Sequence, residues 1–197
     1  MKNLFKKSAI VLLMLTANLA SANVNFENIK IFSENTKSLN LELINNDGGL
    51  DVYIKDIYGV ELYKQQFNGK QFSKKFDLTL LPDGNYFFEI EGQTKISLLP
   101  FKVSGLKVEV LEMKKELIHK PIVRIQNDLI FISKFSPGKE LLKIAFYDAD
   151  DNLLLEEKLS NNIMAGKVFN ISKLTSGEYR LIAKDSDNRT YVHKIVK

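Results

Sequence analysis

The stretch best suited to chemistry is "DADDNLLLEEKL", residues 148–159, where Asp148, Asp150 and Asn152 match the first three alternate oxygen ligands of an EF-hand calcium loop. The pattern fails where that geometry is most demanding, because Leu153 stands at the glycine position and Leu159 at the bidentate-glutamate position. A hairpin turn rich in Asp and Asn accounts for the same residues, since their side chains bond local backbone. The segment "DIYGVELY" (56–63) supports the turn, holding the same place in an earlier stretch with no ligand pattern. No metal site is therefore expected.

Other chemistry is sparse. The chain has no cysteine and only two histidines, His119 and His193, which read as surface residues rather than as general bases. Glu156 and Glu157 are adjacent, so on a strand they face opposite ways and cannot flank one substrate bond. Tryptophan is absent, which removes the best stacking platform for a sugar or a cation. Tyr53, Tyr58 and Tyr63 fit ordinary strand positions as well as they fit a tyrosine patch. No catalytic residue and no cofactor site is expected, and the protein is not read as an enzyme.

The N-terminus, "MKNLFKKSAIVLLMLTANLASA", has a basic start, an apolar stretch and a small-x-small end at Ala20-Ser21-Ala22. This is the three-part pattern of a cleaved signal peptide over 1–22, and it predicts an exported chain in the periplasm, at the cell surface or outside. Its loss removes Lys2, Lys6 and Lys7, leaving 25 basic against 24 acidic residues from the 28 and 24 of the whole chain. That balance is not the footprint of a nucleic-acid-binding protein. No later apolar run is long enough for a transmembrane helix. Without cysteines the core must come from apolar burial alone.

The elements that must position these residues are written twice. "LDVYIKDIYG" (50–59) overlays "LKIAFYDADD" (142–151), and "FDLTLLPDGNYFFEIE" (76–91) overlays "FNISKLTSGEYRLIAK" (169–184). The period is that of strands: Tyr86, Phe88 and Ile90 alternate with Phe87, Glu89 and Glu91, as Tyr179, Leu181 and Ala183 do with their neighbours. Turn signals such as "PDG" (82–84), "TSG" (175–177) and "KDSDN" (184–188) bound the runs. The reading is all-β: two tandem seven-stranded antiparallel Greek-key, immunoglobulin-like sandwiches, over 23–115 and 116–197. Strands are expected near 28–33, 38–44, 50–56, 60–67, 72–80, 85–91 and 94–103, then 121–126, 128–135, 140–147, 152–159, 166–173, 178–184 and 189–196. The connecting stretch 104–121 fits a strand extending the first sheet or one to two helical turns; the strand is favoured.

The repeated Leu-x-x-Gly-x-Tyr element, Leu81, Gly84 and Tyr86 and then Leu174, Gly177 and Tyr179, reads as a tyrosine corner. The ring is expected to be buried and the hydroxyl to return to nearby backbone. The glycine is expected to supply a left-handed turn conformation.

On these residues the chain resembles the tandem immunoglobulin- or fibronectin-III-like repeats of secreted Bacteroidetes proteins. Its last stretch, "FNISKLTSGEYRLIAKDSDNRTYVHKIVK" (169–197), is similar to a type IX secretion C-terminal sorting domain, with Tyr179 and the final Lys194-Ile195-Val196 strand in the expected places. The resemblance implies a secretion or surface context. A non-catalytic binding or structural module is the leading expectation, with an unknown protein or glycan partner. The alternatives are a type IX product whose C-terminal copy sorts it through the secretion machinery, and an accessory subunit of a surface glycan or adhesion assembly.

Overall fold

The computed structural model describes residues 29–33, 36–44, 49–138, 141–159 and 163–197. The signal peptide expected over 1–22 lies outside them. The chain divides into two compact units, one ending at Ile118 and the other running from His119 to Lys197.

The first unit opens with β1 (Ile29–Ser33), β2 (Ser38–Ile44), β3 (Leu50–Asp56) and β4 (Glu61–Phe67). It continues through β5 (Gln71–Asp77), β6 (Gly84–Glu91) and β7 (Lys95–Ser104). One sheet has the order β1-β2-β5 and the other runs β4-β3-β6-β7, so the chain changes sheets after β2, β4 and β5 in Greek-key fashion. Period-2 alternation explains the packing: Leu39, Leu41 and Leu43 of β2 point inward to meet Val52, Ile54, Phe88 and Ile90. Rings fill the centre, with Phe76 edge-on to Phe88 at 4.9 Å and Phe88 against Phe101 at 5.4 Å between centroids.

The stretch after β7 resolves into both elements considered for it. β8 (Lys107–Val110) pairs with β7, a 3-10 turn follows at Glu112–Lys114, and β9 (Glu116–His119) also pairs with β7. The turn forms at the step where the Leu111 amide donates to the Pro100 carbonyl and the Lys114 amide folds back to the Leu111 carbonyl.

The second unit repeats the topology strand for strand. β10 (Ile122–Gln126), β11 (Leu129–Phe135) and β14 (Met164–Asn170) form one sheet. β12 (Leu142–Tyr147), β13 (Leu153–Leu159), β15 (Glu178–Lys184) and β16 (Thr190–Val196) form the other, in the order β13-β12-β15-β16. Even the irregularities coincide: a bulge falls between Ile54 and Lys55 in one copy and between Phe146 and Tyr147 in the other. The second core is less aromatic. Where the first has Tyr63, Phe88 and Phe101, the second has Leu155, Leu181 and Ile195, and an apolar gap with no room for a water lies among Ile144, Leu155, Phe169 and Leu181.

Candidate functional surface

The Leu-x-x-Gly-x-Tyr elements sit at the crossover into β6 and β15. The Tyr86 hydroxyl donates to the Pro82 carbonyl at 2.9 Å, and the Tyr179 hydroxyl to the Thr175 carbonyl at 2.8 Å. Both rings are buried and stacked, Tyr86 on Phe101 and Tyr179 on Phe146. Leu81 and Leu174 are half-buried, each amide closing a turn onto the residue three before it, Leu78 and Ile171. The glycines act differently from expectation. Neither Gly84 nor Gly177 has a positive φ; among the described glycines only Gly59 and Gly105 do. A Cβ on Gly84 would lie 3.4 Å from the Tyr86 ring and hydroxyl, and one on Gly177 would lie 4.0 Å from Tyr179. These positions are therefore glycine where the tyrosine folds back over the chain, and both have space for a methyl group.

A lysine serves this crossover in each unit. Lys197 Nζ donates to the carbonyls of Ile171, Ser172 and Leu174 at 2.6, 2.8 and 2.7 Å. In the first unit Lys37 Nζ reaches the carbonyls of Thr79 and Leu81 from a different part of the chain. Carbonyls left over by the turn thus gain a charged donor twice.

The residues of the final strand have separate fates. Lys194 is exposed and pairs with Glu178 at 2.7 Å across the strands. Ile195 is fully buried in the core, and Val196 is exposed. His193 shares the inward face of Tyr191 and Ile195, and its Nε2 is buried with no hydrogen-bond partner; burial, then the charge of Lys120, pushes its pKa down. His119 is half-buried, its ring edge-on to Phe135 at 4.8 Å. The expectation of two surface histidines is therefore corrected, because strand alternation carries His193 inward.

The acidic run 148–152 is a turn built on its first carboxylate. Asp148 Oδ1 accepts the amides of Asp150 and Asn152, and the Asn152 side chain bonds the same carboxylate. Those bonds, the Asn152 side chain first, hold the Asp148 pKa below the ordinary carboxylate value. Asp56 takes the amides of Tyr58 and Val60 in the same way, and Asp185 those of Asp187 and Arg189. Each turn ends on a left-handed residue: Gly59 at φ 82°, Asp151 at 63° and Asn188 at 62°. Among the described residues no group of three or more His, Asp or Glu could hold a metal ion.

Duplication makes each unit a control for the other, and the outer faces of the three-stranded sheets differ. In the first unit the outward positions are Lys30, Phe32, Asn40, Glu42, Ile44, Gln71, Ser73 and Lys75, a mostly polar face. In the second, Phe131 pairs with Val168 and Phe135 with Met164 on that face, with Ile122 beside Ser133 and Gly166 in the row between. Ile122, Phe135, Met164 and Val168 are 39–58 % exposed. The outward parity of "LIFISKF" (129–135) carried the signal already, since Leu129 and Phe131 are apolar where "SLNLELI" (38–44) has Ser38 and Asn40.

A second difference lies inside. Lys134 occupies the β11 position that Leu43 holds in β2, opposite Ala165 where the first unit has Phe72. Its Nζ lies 3.7 Å from Asp185 Oδ2, both side chains 1 % exposed. Sequence reading passed over this pair, although Lys134 falls in phase with Ile130 and Ile132.

Residues 18–99 match the family model of the secretion system C-terminal sorting domain. The match lies over the first copy; residues 169–197, where the sequence resemblance was drawn, fall outside it. Among solved structures the chain is similar to a biofilm-associated protein BSP domain at 14 % identity and a TM-score of 0.30, covering 86 % of this chain and 29 % of that one. It is similar to the chicken CNTN1 FN1–FN3 domains at 11 % identity and a TM-score of 0.30, covering 82 % and 60 % of the two chains. A two-domain fibronectin type III segment of chicken tenascin gives 7 % identity and a TM-score of 0.29, covering 86 % and 98 %. No curated protein matches. The chain is a tandem of antiparallel immunoglobulin- or fibronectin-III-like β-sandwiches, the first of which carries the match to the secretion-system C-terminal sorting domain family.

Proposed function

We propose that this is an exported, non-catalytic binding module whose second sandwich docks a protein partner on the outer face of its β10-β11-β14 sheet. The observation that carries the reading is the contrast between the copies: one topology and register, but a mostly polar outer face in the first, where Phe32 and Ile44 each pair with a polar residue, and apolar side chains paired with one another in the second. Apolar side chains grouped on one solvent-facing sheet are a mark of an interaction surface. Export is supported by the sorting-domain match and by the signal-like start.

The test is fractionation of the producing cells with the native chain and with Val168→Lys and Met164→Lys together. The native protein should stay with the envelope and the variant should be released, with unchanged thermal unfolding. Equal retention of a folded variant rejects this face as the docking surface. Turnover of a polysaccharide or peptide panel by the purified protein would reject the non-catalytic reading.

A second reading is favoured by the family match itself: one copy acts as a sorting signal for the secretion machinery. Reporter fusions of residues 1–118, and of a leader followed by 119–197, in a host with type IX secretion separate the two copies. Secretion of one fusion identifies the sorting copy; secretion of neither rejects this reading.

A further inference from the structure

Lys134 and Asp185 meet in the interior of the second sandwich. Asp185 Oδ1 accepts the backbone amides of Asp187 at 3.1 Å and Arg189 at 2.9 Å. Oδ2 accepts the Tyr191 hydroxyl at 3.0 Å and lies 3.7 Å from Lys134 Nζ. Both charged side chains are 1 % exposed, and Tyr191 is buried over them. An ion pair withdrawn this far from water is costly, and joining its two partners as an amide removes both charges.

We propose that Lys134 and Asp185 close an intramolecular isopeptide bond. The Lys134 Nζ lone pair attacks Asp185 Cγ; Nζ stands 3.7 Å from Oδ2 of the same carboxyl, and the attack needs a separation of about 3–3.5 Å between the reacting atoms. Negative charge developing on Oδ1 is received by the two backbone amides already aimed at it, an oxyanion-hole arrangement. The Tyr191 hydroxyl supplies a proton to Oδ2 and recovers one from the attacking nitrogen. The Cγ–Oδ2 bond breaks, the Cγ–Nζ bond forms, and one water leaves; no oxidant or further reactant is needed. The first sandwich lacks the parts, with Leu43 and Gly92 at the positions of Lys134 and Asp185. The bond would tie β11 to the turn before β16 in a chain that has no cysteine for a disulfide. The inference is independent of the docking face.

The test is mass spectrometry of the purified full chain under denaturing conditions, with peptide mapping after trypsin. The native protein should be lighter by one water. It should yield a branched peptide joining the segments of Lys134 and Asp185, with no cleavage after Lys134. Lys134→Arg should restore the full mass and the linear peptides, and Tyr191→Phe should leave a larger fraction of the purified chain at full mass. Full mass with ordinary cleavage after Lys134 overturns the proposal, and the native chain alone decides this even if a variant fails to fold. A water loss that persists in Lys134→Arg also overturns it, since it would place the dehydration in a succinimide at Asp185-Ser186.

Discussion

Two tyrosines, two turn glycines and one histidine show how local surroundings set single-residue energetics. Tyr179→Phe and Tyr86→Phe keep the buried ring but lose the bond to the crossover carbonyl, so each should cost about 1 kcal/mol in denaturant unfolding. Gly177→Ala has space for its methyl and no positive φ to violate, so it should be neutral or stabilise by about 0.4–1 kcal/mol through the unfolded chain. Gly59→Ala, at φ 82°, should instead destabilise by about 1–2 kcal/mol. A stability loss at Gly177 matching that at Gly59 would contradict this assignment. His193 gives the pH dependence. Its folded pKa is lowered, so the unfolded state binds the extra proton. The neutral ring's contribution is complete above the ordinary value of 6.5 and is lost as pH falls through the folded value. His193→Leu should flatten the fall in stability that begins below pH 6.5, before carboxylates titrate.

Alternation separates neighbouring residues of one strand into different energetic classes. Val168 is 42 % exposed on the outer face and Phe169 is 6 % exposed in the core, one residue apart on β14. Val168→Lys should change stability by less than about 0.5 kcal/mol. Phe169→Ala should cost about 3–5 kcal/mol, since the large ring leaves a cavity bounded by fixed strands. Comparable losses from the two would mean that the outer face is packed rather than available. The two copies also treat their last paired strand differently. β7 carries β8 and β9 along its outer side, whereas β16 ends its sheet with Lys194 exposed among the alternating Val192 and Val196. A lysine on such an edge discourages further strand addition.

At the scale of the molecule, the division at Ile118 and His119 places each set of seven duplicated strands in its own unit with its own buried core. Residues 29–118 and 119–197 expressed separately should each unfold cooperatively in a thermal melt, and failure of both would show that neither core suffices alone. An isopeptide between Lys134 and Asp185 would raise the melting temperature of the second unit over its Lys134→Arg form without changing the first.

Strand positions were legible because side chains on a pleated strand alternate, and the apolar phase of "YFFEIE" and "YRLIAK" survives any detail of packing. The duplication and the tyrosine positions were legible for the same reason, being spacings along one chain. The glycine role was misread because φ at Gly84 and Gly177 depends on how the crossover meets the tyrosine ring, which spacing does not specify. The acidic run looked like ligands because composition cannot tell a carboxylate facing a cation from one folded onto its own backbone. Local order along the chain, then, was determined by the sequence alone. What only the tertiary structure decided is which residues distant in sequence share a face or a buried site: Phe131 beside Val168 outside, and Lys134 against Asp185 and Tyr191 within. Those juxtapositions depend on strand order and register between segments far apart in the chain, which hydrogen bonding across the sheets and closure of the core set together.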